Sequence, residues 1–360
     1  MINIYKTKKI NNDIIFLKKT EWDIYYSKTL KYPLLVIQKL NENIGETLRG
    51  PKIVRATLGE PFKPDPKIPL KYCLTNEDYD NYMMYGGSPG HNAPAGQHKT
   101  TLAINKDTFL YSNICPQELS FNCSTWIMLE QWTEVLAKSK LFDTKTFVIT
   151  GSIPNSHTNK FNTSNINIPT HMFKIVFGLK NNNLYLDCFI YDNKPTFNQS
   201  NTKLNKDLII MNHHITLDKL ISMLGKYSPD VEKLLLDYIP AKNKKNISEI
   251  FKNIKSISNL IPIKFNFEDN PKYIKRINGC KEYSSIIYSK NLRELEKVWS
   301  NLHKNDKFKP GFYHNKLYEL ANKRFYINNN LFKIKSKINK NSKKKLLNIK
   351  NKSRKIKNKF

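Results

Sequence analysis

Residues 85–96 read Tyr-Gly-Gly-Ser-Pro-Gly-His-Asn-Ala-Pro-Ala-Gly, and no other segment limits the fold of this chain as strongly. Gly86, Gly87, Pro89 and Gly90 cannot sustain a helix, so the backbone must turn or extend here. His91 is delivered just past that glycine hinge. An asparagine-bearing stretch follows, Ser112-Asn113-Ile114-Cys115-Pro116-Gln117, and Phe121-Asn122 then lead toward Glu130. Ser124 to Lys140 contains neither Gly nor Pro, and Trp126, Leu129, Trp132 and Leu136 give it an apolar stripe. A helix is predicted there, capped by Asn122 or Ser124.

Strand signals surround this segment. Leu34-Leu35-Val36-Ile37, bounded by Pro33, reads as a buried strand, as do Phe147 to Gly151, Phe173 to Phe177 and Leu184 to Tyr191. Phe109-Leu110-Tyr111 reads as a strand entering the Asn113 loop. Arg55 to Ile68 is proline-rich and must be extended or looped. Strands and helices mix without a βαβ alternation, which indicates an α+β fold with a mixed or antiparallel sheet core. The expected organisation is a leader over 1–32, a main domain over 33–240, a basic and partly helical region over 241–332, and a Lys-rich tail over 333–360. Within the third region, Leu292 to Leu302 and Lys316 to Phe325 have helical patterns. The tail holds thirteen Lys or Arg and no acid, so self-repulsion predicts disorder until it binds.

The charge is unevenly spread. Residues 1–240 carry 28 basic and 22 acidic side chains, whereas residues 241–360 carry 32 and 8. An AT-rich genome would itself enrich Asn and Lys, so the distribution says more than the total of +30. A field concentrated in the last third favours a polyanion, nucleic acid before an acidic membrane surface. The five cysteines form no Cys-x-x-Cys pair and are odd in number, which argues against a disulfide framework or a zinc finger. Reduced thiols are expected, with Cys115 and Cys123 the pair to watch for a bridge. No signal-peptide core and no apolar run of about 18 residues is present. An intracellular protein is expected, cytoplasmic or nuclear or carried in a virion, with no membrane span.

The order histidine, amide, carboxylate has a chemical meaning. Cutting a phosphodiester needs an activated water, a cation on the developing charge and a stabilised leaving oxygen. Histidine titrates near neutrality and suits the base. Magnesium takes oxygen ligands and keeps most of its water, so one Asn amide oxygen and a Glu acting through water suffice.

Residues 33–180 resemble the DNA/RNA non-specific endonucleases, the sugar-non-specific family that includes endonuclease G. The family's Asp-Arg-Gly-His followed by Leu-Ala-Pro-Ala stands here as Ser88-Pro89-Gly90-His91-Asn92-Ala93-Pro94-Ala95. Its Thr-Phe-Tyr-Leu-Ser-Asn and Pro-Gln stand as Thr108-Phe109-Leu110-Tyr111-Ser112-Asn113 and Pro116-Gln117. Asn122, Trp126 and Leu129-Glu130 follow in the family's order, as do Phe62 to Pro66 before the motif and Ile168 to Lys174 after it. The resemblance implies a ββα-metal (His-Me finger) fold. It also implies a magnesium-dependent endonuclease acting on DNA and RNA, with manganese (Mn2+) as the alternative to Mg2+. By it, His91 is the general base, Asn122 the metal ligand, Glu130 the carboxylate that orients metal-bound water, and Asn113 a residue that shapes the site. Family members often form homodimers.

The departures fall on the phosphate clamp. The family's Arg before Gly-His is Pro89, its Asp is Ser88, and the Arg one turn after the Glu is Glu134. A carboxylate is thus expected on the ridge of Asn122, Trp126 and Glu130 where the family has a guanidinium. Arg55, Lys63 and Lys99 are the candidates to replace the lost phosphate contacts. The rival expectation is an impaired nuclease scaffold that binds or packages nucleic acid. A third is an interaction protein whose tail meets an acidic partner. Other residues read more plainly: His98 as a supporting or surface residue, His171 as structural, His213-His214 as a loop, and Trp126 with Trp132 as core.

Overall fold

The computed structural model describes residues 12–48, 52–53, 62–155, 166–196, 213–238, 254–260, 271–304, 314–328 and 330. The chain divides into two compact units, Met1–Ser284 and Ser285–Phe360.

The first unit is built on one antiparallel sheet. Its strands are β1 (Ile14–Lys18), β2 (Trp22–Ser27), β3 (Tyr32–Leu40), β6 (Thr146–Ile153), β7 (His171–Lys180), β8 (Asn183–Asp192) and β9 (His214–Ile215), in that spatial order. Between β3 and β6 the chain leaves the sheet to form a second one of two strands, β4 (Gly87–His91) and β5 (Ile114–Glu118). A helix follows β5 directly. The fold is therefore α+β, with the ββα unit inserted as one long crossover between neighbouring strands. The segment expected to be a leader instead supplies β1 and β2. β1 pairs with β2 and β2 with β3; Ile14 and Phe16 pack against the main core, and Trp22, Ile24 and Tyr26 are buried with Val36 of β3 in a second cluster.

Register places Leu17, Ile24, Val36, Thr150, Lys174 and Phe189 in one row across six strands. The segment between β3 and β6, which carries the ββα unit, covers that face. Tyr26 donates to the Tyr72 carbonyl, Gln38 donates to the Asn92 carbonyl, and the Phe189 ring meets Trp132 edge-on at 5.3 Å. The central strands are buried along most of their length, so the other face is covered as well. Helices α4 (Leu217–Tyr227) and α5 (Pro229–Tyr238) contribute Leu217, Leu220, Leu224, Val231 and Leu235 to the core. Earlier in the chain, α1 (Asn76–Met83) opens with a capping box between Thr75 and Asp78, and α2 (Leu102–Asp107) is capped by Thr101.

The helix after β5 begins with one α turn at Leu119–Phe121, widens to a π turn over Asn122–Trp126, and continues as α3 (Ile127–Lys138). Its cap is Glu118, whose carboxylate accepts from Phe121 N at 2.7 Å. The cap expected at Asn122 or Ser124 is thus displaced, because Glu118 already closes the first turn. Phe109-Leu110-Tyr111 is not a strand. Leu110 makes an isolated bridge to Lys63, and Tyr111–Asn113 form a 3-10 turn.

Two further expectations are overturned. Cys123 and Cys280 form a disulfide with Cα atoms 5.6 Å apart, while Cys73, Cys115 and Cys188 are buried thiols. The partners lie 157 residues apart, so spacing along the chain carries no sign of them. His213-His214 is not a plain loop: His214 opens β9, and its Nε2 lies 3.0 Å from Asp187 Oδ1.

Helix α6 (Pro271–Ile287) carries Cys280. In the second unit α7 (Leu292–His303) and a helix over residues 314–328 are joined by a Trp299–Tyr318 stack at 4.4 Å. Arg324 donates to the Ile287 and Ser289 carbonyls. The Lys-rich tail lies outside the described residues. Among the described residues no helix is long and apolar enough to cross a membrane.

Candidate active site

The glycine hinge does what the sequence requires of it. Gly86 has φ +93, a region that side-chain-bearing residues rarely adopt, and it ends the turn just before β4. Gly90 is needed for a different reason: a Cβ there would overlap the side-chain amide of Gln117 on β5. Close pairing of β4 and β5 sets His91 opposite Ile114 at the end of the hairpin.

The His91 ring is half-buried in an aromatic setting. Phe62 lies 5.5 Å away between centroids, and Phe109 meets it edge-on at 5.0 Å. Trp126 Nε1 donates to the His91 carbonyl at 3.4 Å, which ties the helix to the hairpin. Asn122 Nδ2 donates to Ser88 Oγ at 2.7 Å. Ser88 thus takes the amide nitrogen and sets Oδ1 as the oxygen that a cation would meet. Glu130 lies one turn beyond Trp126, partly buried. Its backbone carbonyl accepts from Gln97 Nε2 at 2.8 Å, which docks the loop after His91 on α3.

Asn113 acts as a bracket. Fully buried, it accepts from Ala93 N at 2.9 Å and donates to the Ala93 and Thr108 carbonyls at 2.9 and 2.8 Å. Its own carbonyl accepts from Asn92 N and Nδ2. Both atoms of its amide are engaged by backbone, so Asn113 fixes the turn after His91 from behind. His98 supports the same turn. It is buried, with Glu21 Oε2 at 2.6 Å on Nδ1 and Gln38 Oε1 at 2.8 Å on Nε2, and Gln38 reaches the Asn92 carbonyl. Burial works to raise the Glu21 pKa, but bonds with His98 and Thr100 hold it below its ordinary value. A surface place for His98 is therefore excluded.

Of the candidate phosphate contacts, Lys63 is exposed and follows Phe62 directly, beside His91. Lys99 is half-exposed next to buried His98. Arg55 lies outside the described residues. Glu134 is paired with Lys138 at 2.8 Å and faces the turn at Gly45.

Sequence patterns did not single out Ser88, Phe62, Gln97 or Lys174 for roles here. Lys174 has the clearest missed signal, a charged side chain inside the apolar run of β7. Its Nζ donates to Thr150 Oγ1 at 2.6 Å and lies 4.7 Å from the centre of the Trp126 ring.

The family model for DNA/RNA non-specific endonucleases matches residues 2–217. The chain belongs to that family. Similar proteins include "Nuclease EXOG, mitochondrial" of Xenopus laevis, 31% identical over 147 residues, covering 37% of this chain and 39% of the relative. The "Mitochondrial nuclease" of Saccharomyces cerevisiae is 28% identical over 198 residues, covering 48% and 56%. The chain thus spans about two fifths to little more than half of the length of these relatives. A chain in the solved EndoG/EndoGI complex matches with a TM-score of 0.47 at 21% identity, over 58% of this chain and 83% of that one. The match from residue 2 agrees with the place of β1 and β2 in the sheet. Pro89, paired with Pro116 in the hairpin, stands where the family motif carries arginine.

The donor set suits a hard cation. Among the described residues there is no group of three His, Cys, Asp or Glu that could cage a metal. One amide whose nitrogen Ser88 engages, with a carboxylate about two turns further along the helix, fits magnesium, which keeps most of its water shell, and does not fit a structural zinc site.

Proposed function

We propose that this protein is a magnesium-dependent, sequence-non-specific endonuclease of DNA and RNA. The observation that carries the reading is the join of helix to hairpin. Asn122 bonds Ser88, and Trp126 bonds the His91 carbonyl, so the helix that carries the amide and Glu130 is tied at two points to the strand that carries the histidine. His91 takes the proton from the attacking water, its ring kept in place by Phe62 and Phe109. Asn122 would hold the cation through its side-chain amide, and Glu130 would orient water at that place. When bound, the cation stabilises charge on the phosphate and the leaving oxygen. Asn113 holds the backbone just beyond the histidine. Lys63, Lys99 and Arg55 contact phosphates without reading bases. A homodimer and an intracellular location belong to the same proposal.

Pro89 favours a second reading, an impaired nuclease scaffold that binds nucleic acid, because proline cannot make the forked contact of arginine with phosphate. One assay separates the two: plasmid nicking and RNA degradation by purified protein, magnesium against EDTA, with His91→Ala alongside. The nuclease reading expects magnesium-dependent cutting that the variant lacks. Cutting unchanged in His91→Ala removes His91 as the base. Salt-sensitive binding with no cutting by either protein selects the second reading.

A further inference from the structure

Lys174 is a charged side chain where the fold calls for an apolar one. It sits on the central strand β7, in the row of Leu17, Ile24, Val36, Thr150 and Phe189, and only 1% of it is exposed. A lone ammonium in such a place costs several kcal/mol of desolvation. A methionine would fill the space without that cost. The environment compensates in part. Thr150 accepts one hydrogen bond, the Trp126 ring presents its electron-rich face, and Glu130 is the carboxylate whose field favours the ammonium. Trp126 and Glu130 are four residues apart on the helix, so both stand on the side from which Lys174 is approached. Trp126 in turn donates to the His91 carbonyl.

We propose that Lys174 is a positioning residue of the active site, a buried cation that holds the Glu130 carboxylate and the Trp126 ring in place and so fixes the helix against His91. The inference rests on the nuclease reading for its effect on cleavage, on the ring contact for the linkage to Trp126, and on the one-turn spacing of Trp126 and Glu130 for the reach to Glu130. Lys174 touches neither substrate nor metal in this role. It orients the groups that do, as supporting partners around metal sites commonly do.

A double-substitution cycle of Lys174→Met and Glu130→Gln tests it with two readouts. In thermal unfolding, Glu130→Gln alone is expected to lower Tm by several degrees, because it strips a buried cation of its counter-charge. Lys174→Met alone leaves Tm unchanged or raises it, and in the Lys174→Met background Glu130→Gln has little effect. Additive Tm shifts overturn the linkage. In cleavage, Lys174→Met is expected to lower kcat at least about tenfold with KM within about twofold, and to have no further effect in the Glu130→Gln background. A kcat within twofold of the parent protein in a folded Lys174→Met variant overturns the positioning role. Absence of cleavage by the parent protein would sink the nuclease reading, and the unfolding cycle would still decide whether Lys174 holds Glu130.

Discussion

Replacing Asn113 with alanine distinguishes a bracket from a group that touches substrate. The substitution removes three hydrogen bonds, those to Ala93 N, Ala93 O and Thr108 O, at a site with no exposure. Leaving a buried donor or acceptor without its partner costs about 1–3 kcal/mol each. Some relaxation and one entering water reduce the sum, so about 4 kcal/mol is expected. For a unit of this size that corresponds to a fall in Tm of roughly 8–16 °C. Activity should fall with it, because the turn just beyond His91 loses its anchor. Asn113→Asp adds a signature. Its carboxylate still accepts from Ala93 N but sets negative charge against two carbonyl oxygens. That variant should regain stability relative to the parent as pH falls and the carboxyl becomes a donor. Differential scanning calorimetry from pH 4 to 8, beside nicking rates at 20 °C, reads both effects. An Asn113→Ala protein with unchanged Tm and no activity would refute the bracket and place Asn113 in direct contact with substrate.

Other outcomes come from the same geometry. Reduction of the Cys123–Cys280 bridge releases a loop of 157 residues and should lower stability by up to about 5 kcal/mol; Cys280→Ser should reproduce the loss, and reductant should leave that variant unaffected. Burial lowers the Lys174 pKa to about 8, with Glu130 working against it. Between that value and the unfolded pKa of about 10.4, the unfolded chain holds more protons, so stability from this group rises with pH. The penalty is fully present below pH 8, at most about 3 kcal/mol, and the Tm advantage of Lys174→Met should shrink from pH 8 to 10. Glu134→Gln should change cleavage by less than about threefold, because Lys138 already offsets its charge; a tenfold gain would show that Glu134 repels the phosphate.

Local repetition made part of the fold readable from the chain. Leu34 to Ile37, Phe147 to Gly151 and Leu184 to Tyr191 announce themselves as short apolar runs, and each lies within a core strand of the sheet. The ordered motif around His91, Asn122 and Glu130 gave the family and its ββα unit. Features that depend on partners distant in sequence stayed hidden. His214 finds Asp187 only through the pairing of β9 with β8, and Cys123 finds Cys280 across 157 residues. β1 and β2 were obscured by flanking lysine pairs and by Asp23 in an otherwise apolar strand. Burial pushes the Asp23 pKa up, against the pull of Lys39 and Lys18.

The π turn is where the linear pattern and the site diverge. On a regular helix Asn122, Trp126, Glu130 and Glu134 would form one ridge, and Glu134 would bring negative charge to the phosphate path. Widening the turn over Asn122–Trp126 inserts about one residue and rotates the first helical turn relative to α3. Asn122 is thereby turned to Ser88 on β4, while Trp126 stays fully buried between His91 and Lys174. Glu134 lies about 6 Å further along the axis than Glu130, where Lys138 and the Gly45 turn receive it. The loss of the family's arginine therefore subtracts a cation from the site, and the glutamate in its place is neutralised locally. Any recovery of phosphate binding has to come from cations off the helix, and among the described candidates Lys63 directly follows Phe62, the ring that packs on His91.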